Sequence, residues 1–165
     1  MNLYIGTKLI NAKPMNRLDY NIFRGWDLPT NEDGTDEGYL VEYLDGGEAN
    51  TSEYKGYVSW SPKAVFEKAY NPMDELTFGD ALVLLKAGYK VARVGWNGKG
   101  MWLRMVKTGN YDVACGIVYP KGTYEEGQDV VTLAPWIGMK AAGSTFVPWL
   151  ASQTDMLAED WTVVD

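Results

Sequence analysis

The sequence contains no histidine and a single cysteine, Cys115, among its 165 residues. Because histidine is the commonest general base and the commonest metal ligand, its absence excludes Ser–His and Cys–His catalysis. One cysteine cannot form an internal disulfide and is typical of a reducing compartment. No apolar run approaches the ~20 residues that a membrane helix needs, and the first residues lack the basic and apolar regions of a signal peptide. We therefore expect a cytosolic protein that makes no membrane contact.

Positive charge is also scarce, since 15 Lys and Arg side chains face 22 Asp and Glu side chains and leave a net charge of −7. This balance argues against binding a nucleic-acid polymer, which requires clustered basic residues to neutralise phosphates. The negative charge is uneven: residues 1–75 carry 7 basic and 13 acidic side chains, and residues 76–165 carry 8 and 9. The second half could therefore accept an anionic ligand. Hydrophobic residues make up 46% of the chain, which is typical of a folded protein.

The first part of the chain is predicted to be a small β-rich unit with one helix. Residues 3–10 alternate weakly and could form a strand, whereas residues 19–26 look irregular. Strand composition at 39–44 and 56–60, with a polar segment between them, predicts a hairpin with a long loop. Ser61-Pro62 is then a suitable start for a helix that runs to about residue 69, because serine can cap and proline is tolerated in the first turn.

Asn71-Pro72 is the best candidate for a linker between two domains, 1–71 and 72–165. After it, Thr77 and Asp80 predict a capping box for a helix from Phe78 to Ala87, which Gly88 would end in a left-handed conformation. Further strands are predicted at 90–94, 101–106, 113–119, 132–140, 146–149 and 159–164, with a helical turn at 152–157. The expected fold class is α+β, with small antiparallel sheet domains that each carry one short helix packed on the sheet.

The loop Gly95-Trp96-Asn97-Gly98-Lys99-Gly100 joins two of these strands and is a candidate binding loop. Glycines allow a backbone to approach a ligand closely and expose its N–H groups. Trp96 offers a flat face for a base or sugar, Asn97 can donate and accept hydrogen bonds, and Lys99 can meet a phosphate. The alternative is a plain hairpin turn with Trp96 packed onto the core, and local composition alone slightly favours that alternative.

A second candidate constellation is Phe146 to Asp155, in which an aromatic segment precedes a run of small polar residues. Trp149 could stack on a ligand, while the side chains from Ser152 to Asp155 could read its polar edges. The alternative is that Trp149 and Leu150 belong to the core and that Ser152 to Asp155 cap a helix, which local composition again slightly favours.

Catalytic and metal-binding patterns are weak in this sequence. Asp155 and Asp160 could in principle act as a carboxylate pair on a glycoside, although carboxylates on protein surfaces are far commoner. The acidic loop 31–38 lacks the ligand pattern of a calcium-binding EF-hand loop. The Gly95–Gly100 loop has neither the spacing nor the Ser/Thr of a Walker phosphate loop. We therefore expect no enzyme, no cofactor and no metal site.

Four motifs, at residues 76–82, 88–93, 95–101 and 146–161, occur in an order and spacing that resemble the Thoeris anti-defence type 2 family of phage proteins. The resemblance covers residues 76–164, a little over half of the chain. The first domain instead resembles a small phage accessory domain of no assigned activity, through motifs such as Gly56-Tyr57-Val58-Ser59-Trp60-Ser61-Pro62-Lys63. Shorter family members lack that domain.

The resemblance implies a signal sponge in the cytoplasm of an infected bacterial host. Family members bind glycocyclic ADP-ribose, the immune signal made by Thoeris TIR enzymes, without cleaving it, and some also hold cyclic dinucleotides at separate sites. They assemble as homotetramers with pockets at subunit contacts. Carried onto this chain, Trp96 and Trp149 would sandwich the adenine, and Asn97 and Asp155 would read polar groups. The full expected ligand-binding set is Trp96, Asn97, Gly98, Lys99, Met101, Trp149, Ser152, Gln153, Thr154 and Asp155. The alternative function is a non-enzymatic structural or host-interaction protein of a phage.

Overall fold

The computed structural model describes residues 1–96, 100–108, 111–114, 117–123, 130–143 and 145–165. The chain divides into two compact units, Met1–Asn71 and Pro72–Asp165. Within the described residues, the strands form three antiparallel sheets accompanied by short helices. This confirms the predicted α+β class. None of the helices in the described part of the chain has the length and hydropathy needed to span a bilayer.

The first unit is a three-stranded sheet, in the order β1-β2-β3, with two helices. Its elements are β1 (Ile10–Pro14), α1 (Arg17–Arg24), β2 (Gly38–Tyr43), β3 (Tyr57–Pro62) and α2 (Lys63–Ala69). The predicted hairpin of β2 and β3 is confirmed by their antiparallel register, in which Leu40 lies opposite Trp60. Tyr20 of α1 packs with Leu40 and Val58 to form the core of this unit.

Helix α1 occupies the segment that was predicted to be irregular, so that prediction is wrong. The side chain of Asn16 accepts a hydrogen bond of 2.7 Å from the backbone N–H of Asp19 and caps the start of the helix. Gly25, with φ of 68°, ends it in the left-handed conformation. The two caps satisfy backbone groups that the helix leaves unpaired at its ends, and burial of Tyr20 supplies the packing energy.

Two other predictions for the first unit are also wrong in detail. Residues 1–9 belong to no strand, because the strand predicted from residue 3 begins only at Ile10. The polypeptide does enter a helix after Ser61, but Pro62 occupies the capping position and no side chain caps that end. The missing cap is consistent with the position of Ser61 inside β3, where it lies opposite Tyr39.

The second unit contains a five-stranded sheet in the order β10-β9-β5-β4-β11 and a three-stranded sheet in the order β7-β6-β8. Its elements are α3 (Phe78–Ala87), β4 (Lys90–Arg93), β5 (Trp102–Val106), β6 (Tyr111–Ala114), β7 (Ile117–Pro120), β8 (Val130–Thr132), β9 (Trp136–Lys140), β10 (Phe146–Pro148), α4 (Gln153–Met156) and β11 (Trp161–Val164). The single strand predicted at 113–119 is therefore replaced by β6 and β7, which pair with each other.

The core of the second unit lies between α3 and one face of the five-stranded sheet. The capping box of Thr77 and Asp80 and the left-handed Gly88 are both present, so the predicted ends of α3 are confirmed. Alternation along the strands places Val91 and Leu103 on the face that α3 covers. The sheet thereby fixes the positions from which the Gly95–Gly100 loop leaves β4 and returns to β5.

Candidate ligand-binding site

Three tryptophans that are far apart in the sequence meet at one end of the core of the second unit. The ring centroids of Trp96 and Trp149 lie 6.4 Å apart, and those of Trp96 and Trp161 lie 5.6 Å apart. Trp149 and Trp161 are 6.1 Å apart, and Phe78 of α3 contacts both of them. All three Trp pairs are edge-to-face, the geometry that the quadrupoles of aromatic rings favour. The fold thus joins the two predicted constellations through Trp161.

Burial separates the three rings into two kinds. Trp161 has no exposed surface, and its indole N–H donates a 3.1 Å hydrogen bond to the backbone oxygen of Asp155. Trp96 and Trp149 are only partly buried and pack against the same core from its edge. Packing and ligand contact are therefore compatible roles for these two residues, since each indole has one side on the core and part of its surface open to solvent.

The angle between Trp96 and Trp149 bears on the predicted sandwich. A base held between two rings needs them parallel and about 7 Å apart, twice the optimal carbon–carbon contact distance of about 3.5 Å. The two indoles of one chain instead touch at an interplanar angle of 62°. They form no parallel slot, so a sandwich requires either a movement of the rings or an aromatic ring from a second chain.

Helix α4 places the polar run beside these tryptophans. The hydroxyl of Ser152 accepts from the backbone N–H of Asp155, and the Asp155 carboxylate accepts from the backbone N–H and hydroxyl of Ser152 at 3.1 and 2.6 Å. The alternative that Ser152 and Asp155 cap a helix is therefore confirmed. Its placement of Leu150 in the core is wrong, because that side chain is 91% exposed. The hydroxyl of Thr154 shares a 2.8 Å hydrogen bond with Ser152, and the side chain of Gln153 is exposed.

Arg93, at the end of β4, is the charged centre of the site and was not among the predicted site residues. Its Nε donates to Asp160 Oδ1 at 2.7 Å, and its Nη1 donates to Asp155 Oδ1 at 3.0 Å and to the backbone oxygen of Thr154 at 3.3 Å. One guanidinium thus connects β4, α4 and the residue just before β11. The strand pattern carries the signal that could have found it, because Arg93 shares a face with the buried Val91 two residues earlier.

The charges of this cluster stabilise one another. Hydrogen bonding from Arg93 lowers the pKa of Asp160 below its ordinary value, against the opposing effect of burial. Burial acts to raise the pKa of Asp155, but the hydrogen bonds it accepts, first from Ser152 and then from Arg93, outweigh burial and lower the pKa. The hydrogen bond to Asp160 in turn raises the pKa of Arg93. Both carboxyl groups are therefore ionised at neutral pH.

The Asp155 carboxylate has little capacity left for a ligand. It accepts hydrogen bonds from the backbone N–H and hydroxyl of Ser152 and from Nη1 of Arg93. A carboxylate offers about four acceptor positions, and these donors occupy most of them. The geometry gives Asp155 a part in capping α4 and in joining it to Arg93, and leaves Gln153 and the hydroxyl of Thr154 as the polar groups that face outward.

After Trp96, the structure describes only the last residue of the predicted binding loop, Gly100. Asn97, Gly98 and Lys99 lie outside the described residues. Gly100 ends the loop, and its backbone oxygen accepts a 3.0 Å hydrogen bond from Nζ of Lys140 in β9. Met101 follows it and is partly buried. Lys140 was not predicted either, because its contact with the loop depends on the pairing of β5 with β9.

The same region of the chain matches known proteins. A family model described as a Thoeris anti-defense 2-like domain matches residues 76–164. The protein named Thoeris anti-defense 2 from Bacillus phage SP01 is 36% identical over 90 residues, which cover 54% of this chain and 96% of the relative. This chain belongs to the Thoeris anti-defense 2-like family. The predicted family assignment is therefore confirmed, and Trp96, Trp149, Arg93 and α4 all lie within the matched residues.

The electrostatics of Asp155 and Asp160 bear on whether the two residues could act as a glycosidase pair. A glycosidase needs one carboxylic acid with a raised pKa to protonate the leaving oxygen. Asp155 and Asp160 instead both have lowered pKa values and share the cation of Arg93. In the part of this Thoeris anti-defense 2-like chain that the structure describes, no cluster of His, Cys, Asp and Glu could hold a metal ion.

Proposed function

We propose that this chain is an anti-defence sponge that binds glycocyclic ADP-ribose, the signal of Thoeris TIR enzymes, and retains it without cleaving it. The observation that carries the proposal is the pair of partly buried indoles, Trp96 and Trp149, beside the capped helix α4 in the family-matched region. Aromatic faces stack on bases of any kind, and polar groups at their edge then select one ligand. By keeping the signal bound, the protein prevents activation of the Thoeris effector in the cytoplasm of the infected host.

The charge distribution favours one orientation of the ligand. Arg93, Asp155 and Asp160 together leave one net negative charge beside the indoles, which disfavours a phosphate at that position. The adenine and ribose hydroxyls therefore lie against Trp96, Trp149 and the outward groups of α4. The phosphates lie toward the glycine-rich loop, whose sequence includes the cation of Lys99.

Retention rather than turnover follows from the same groups. Two ionised carboxylates held by one arginine cannot donate a proton to a leaving group at neutral pH. A sponge must also bind tightly, and nanomolar affinity corresponds to about 12 kcal/mol, which requires a well enclosed ligand. A homotetramer with pockets at subunit contacts meets that requirement, since a second chain can supply the ring that completes a sandwich with Trp96 or Trp149.

We assign a separate role to each of the two domains. Residues 72–165 form the signal-binding domain, and residues 1–71 form an accessory domain. We also propose a separate site for cyclic dinucleotides. If the two sites are distinct, the affinity for a cyclic dinucleotide is the same in the free chain and in the chain saturated with glycocyclic ADP-ribose.

Isothermal titration with glycocyclic ADP-ribose tests the ligand and its position together. Trp96→Ala and Trp149→Ala are each expected to weaken binding about 5- to 150-fold, because stacking of one base on an aromatic side chain contributes about 1–3 kcal/mol. Trp26→Ala is the matched control, since Trp26 is exposed and lies outside the family-matched region. No heat from the parent protein, or an unaltered affinity in both site variants, would sink the proposal.

A further inference from the structure

The backbone that leads into Trp96 is fixed by the ion pair of Arg93 and Asp160. The second carboxylate oxygen of Asp160 accepts a 3.0 Å hydrogen bond from the backbone N–H of Gly95, and its backbone oxygen accepts one of 3.0 Å from Val94. A Cβ at Gly95 would lie 3.0 Å from the same carboxylate oxygen and would displace it by a few tenths of an ångström, so glycine favours this close approach. Asp160 therefore anchors the two residues before Trp96, and Arg93 orients the carboxylate that does so.

Helix α4 is fixed through the other carboxylate that Arg93 contacts. Asp155 accepts from Nη1 of Arg93, and it also caps α4. The same guanidinium contacts the backbone oxygen of Thr154 in that helix. Arg93 therefore contacts α4 directly and reaches the backbone before Trp96 through Asp160, while the indole itself packs against Trp149 and Trp161.

Burial makes these contacts effective. The side chains of Arg93, Asp155 and Asp160 are exposed by 20%, 13% and 35%, respectively. Ion pairs with little exposed surface are screened less by water and salt than pairs in full contact with solvent. The acceptors lie in different directions, which a planar guanidinium can reach at once and an ammonium group on a flexible stem cannot.

We propose that Arg93 is a positioning residue that holds the Trp96 indole and helix α4 in their ligand-binding arrangement before the ligand arrives. The inference rests on the proposed function for the identity of the bound molecule. The arrangement itself is a property of the ligand-free chain and can be measured there. Loss of the positioning lowers the fraction of molecules that can bind, and the apparent affinity falls by the same factor.

Hydrogen exchange of tryptophan indole N–H groups, followed by NMR on the full chain, measures the positioning directly. The chain has seven tryptophans, and the signal of Trp96 is assigned by its loss in Trp96→Phe. In Arg93→Lys, which keeps the charge, we expect exchange at the Trp96 indole to accelerate at least about tenfold. The Trp161 indole, which has no exposed surface and belongs to the core of the second unit, is expected to keep its protection.

Calorimetry on the same variants supplies the binding measurement. Arg93→Lys is expected to bind glycocyclic ADP-ribose about tenfold more weakly than the parent. Arg104→Met is the matched control, because Arg104 in β5 is exposed and has no hydrogen bond or ion pair within the described residues. Arg93→Met, which also removes the charge, is expected to weaken binding more than Arg93→Lys. If Arg93→Met does not fold, Arg93→Lys alone still tests the inference.

The outcomes separate the inference from the proposed function. The positioning role is overturned if, in Arg93→Lys, the exchange rate of the Trp96 indole and the ligand affinity both stay within twofold of the parent values. A general loss of stability, in which Trp161 and Trp96 lose protection equally, overturns it as well. If the parent binds no glycocyclic ADP-ribose but the Trp96 indole alone loses protection, the proposed function fails and the positioning role of Arg93 stands.

Discussion

The carboxyl groups of Asp155 and Asp160 connect the chemistry of single residues to the pH dependence of the site. Hydrogen bonding from Arg93 lowers the pKa of Asp160, and for Asp155 the donors outweigh the effect of burial, so both folded-state pKa values lie below the ordinary value of 3.8. A depressed carboxyl pKa stabilises the folded chain at pH values above the ordinary pKa. That contribution is lost as the pH falls through the depressed values.

We therefore expect the stability of the second unit to hold from pH 7 to about pH 5 and to fall as the pH drops below about 4. Urea denaturation across this range, monitored by tryptophan fluorescence, measures the effect. Asp160→Asn should be less stable than the parent at pH 7 and should lose less stability on acidification. An acid dependence identical in the parent and in Asp160→Asn would contradict the role assigned to this carboxylate.

Part of the candidate site could be predicted from the sequence at the residue scale. Trp96, Trp149 and the polar residues of α4 were recognisable because aromatic and small polar residues occur together in short segments. Arg93 could not be placed in the same way, because its partners Asp155 and Asp160 are more than 60 residues away in the sequence. Only the pairing of β4 with β11, which sets Trp161 opposite Arg93, brings them together.

At the scale of elements, local chemistry decided which predictions succeeded. Helix α3 was predictable at both ends because Thr77, Asp80 and Gly88 each satisfy a specific backbone requirement. Strand β4 was predictable from alternation. Helix α1 was missed although Asn16 and Gly25 carry equivalent signals, because its stability depends on packing of Tyr20 against the sheet, which no local pattern reveals.

The capping box of α3 gives a prediction with a quantity. Thr77→Ala removes the hydroxyl that accepts from the backbone N–H of Asp80, so it should lower the free energy of unfolding by about 0.5–2 kcal/mol. Ser61→Ala is the control, because Ser61 precedes α2 without capping it and should cost less than about 0.5 kcal/mol. Urea denaturation of both variants measures the difference. Equal losses would mean that the cap contributes nothing specific to α3.

The whole molecule combines two acidic units, the first with a net charge of −4 and the second, which carries the candidate site, with a net charge of −3. Each unit has its own hydrophobic core. The phage SP01 relative is matched over 96% of its length by about half of this chain, so the relative has no counterpart of the first unit. This distribution supports the proposal that residues 72–165 contain all that signal binding requires, and that the first unit adds a separate property.

The central claim is that the whole molecule retains its signal without changing it, and recovery of the bound molecule tests that claim most directly. The full chain is incubated with glycocyclic ADP-ribose, freed of unbound nucleotide by gel filtration and denatured by heat, and the released material is identified by chromatography and mass. We predict recovery of intact glycocyclic ADP-ribose in proportion to the protein. Recovery of nothing, as expected of a structural protein, or of a chemically altered nucleotide, as expected of an enzyme, would contradict the account.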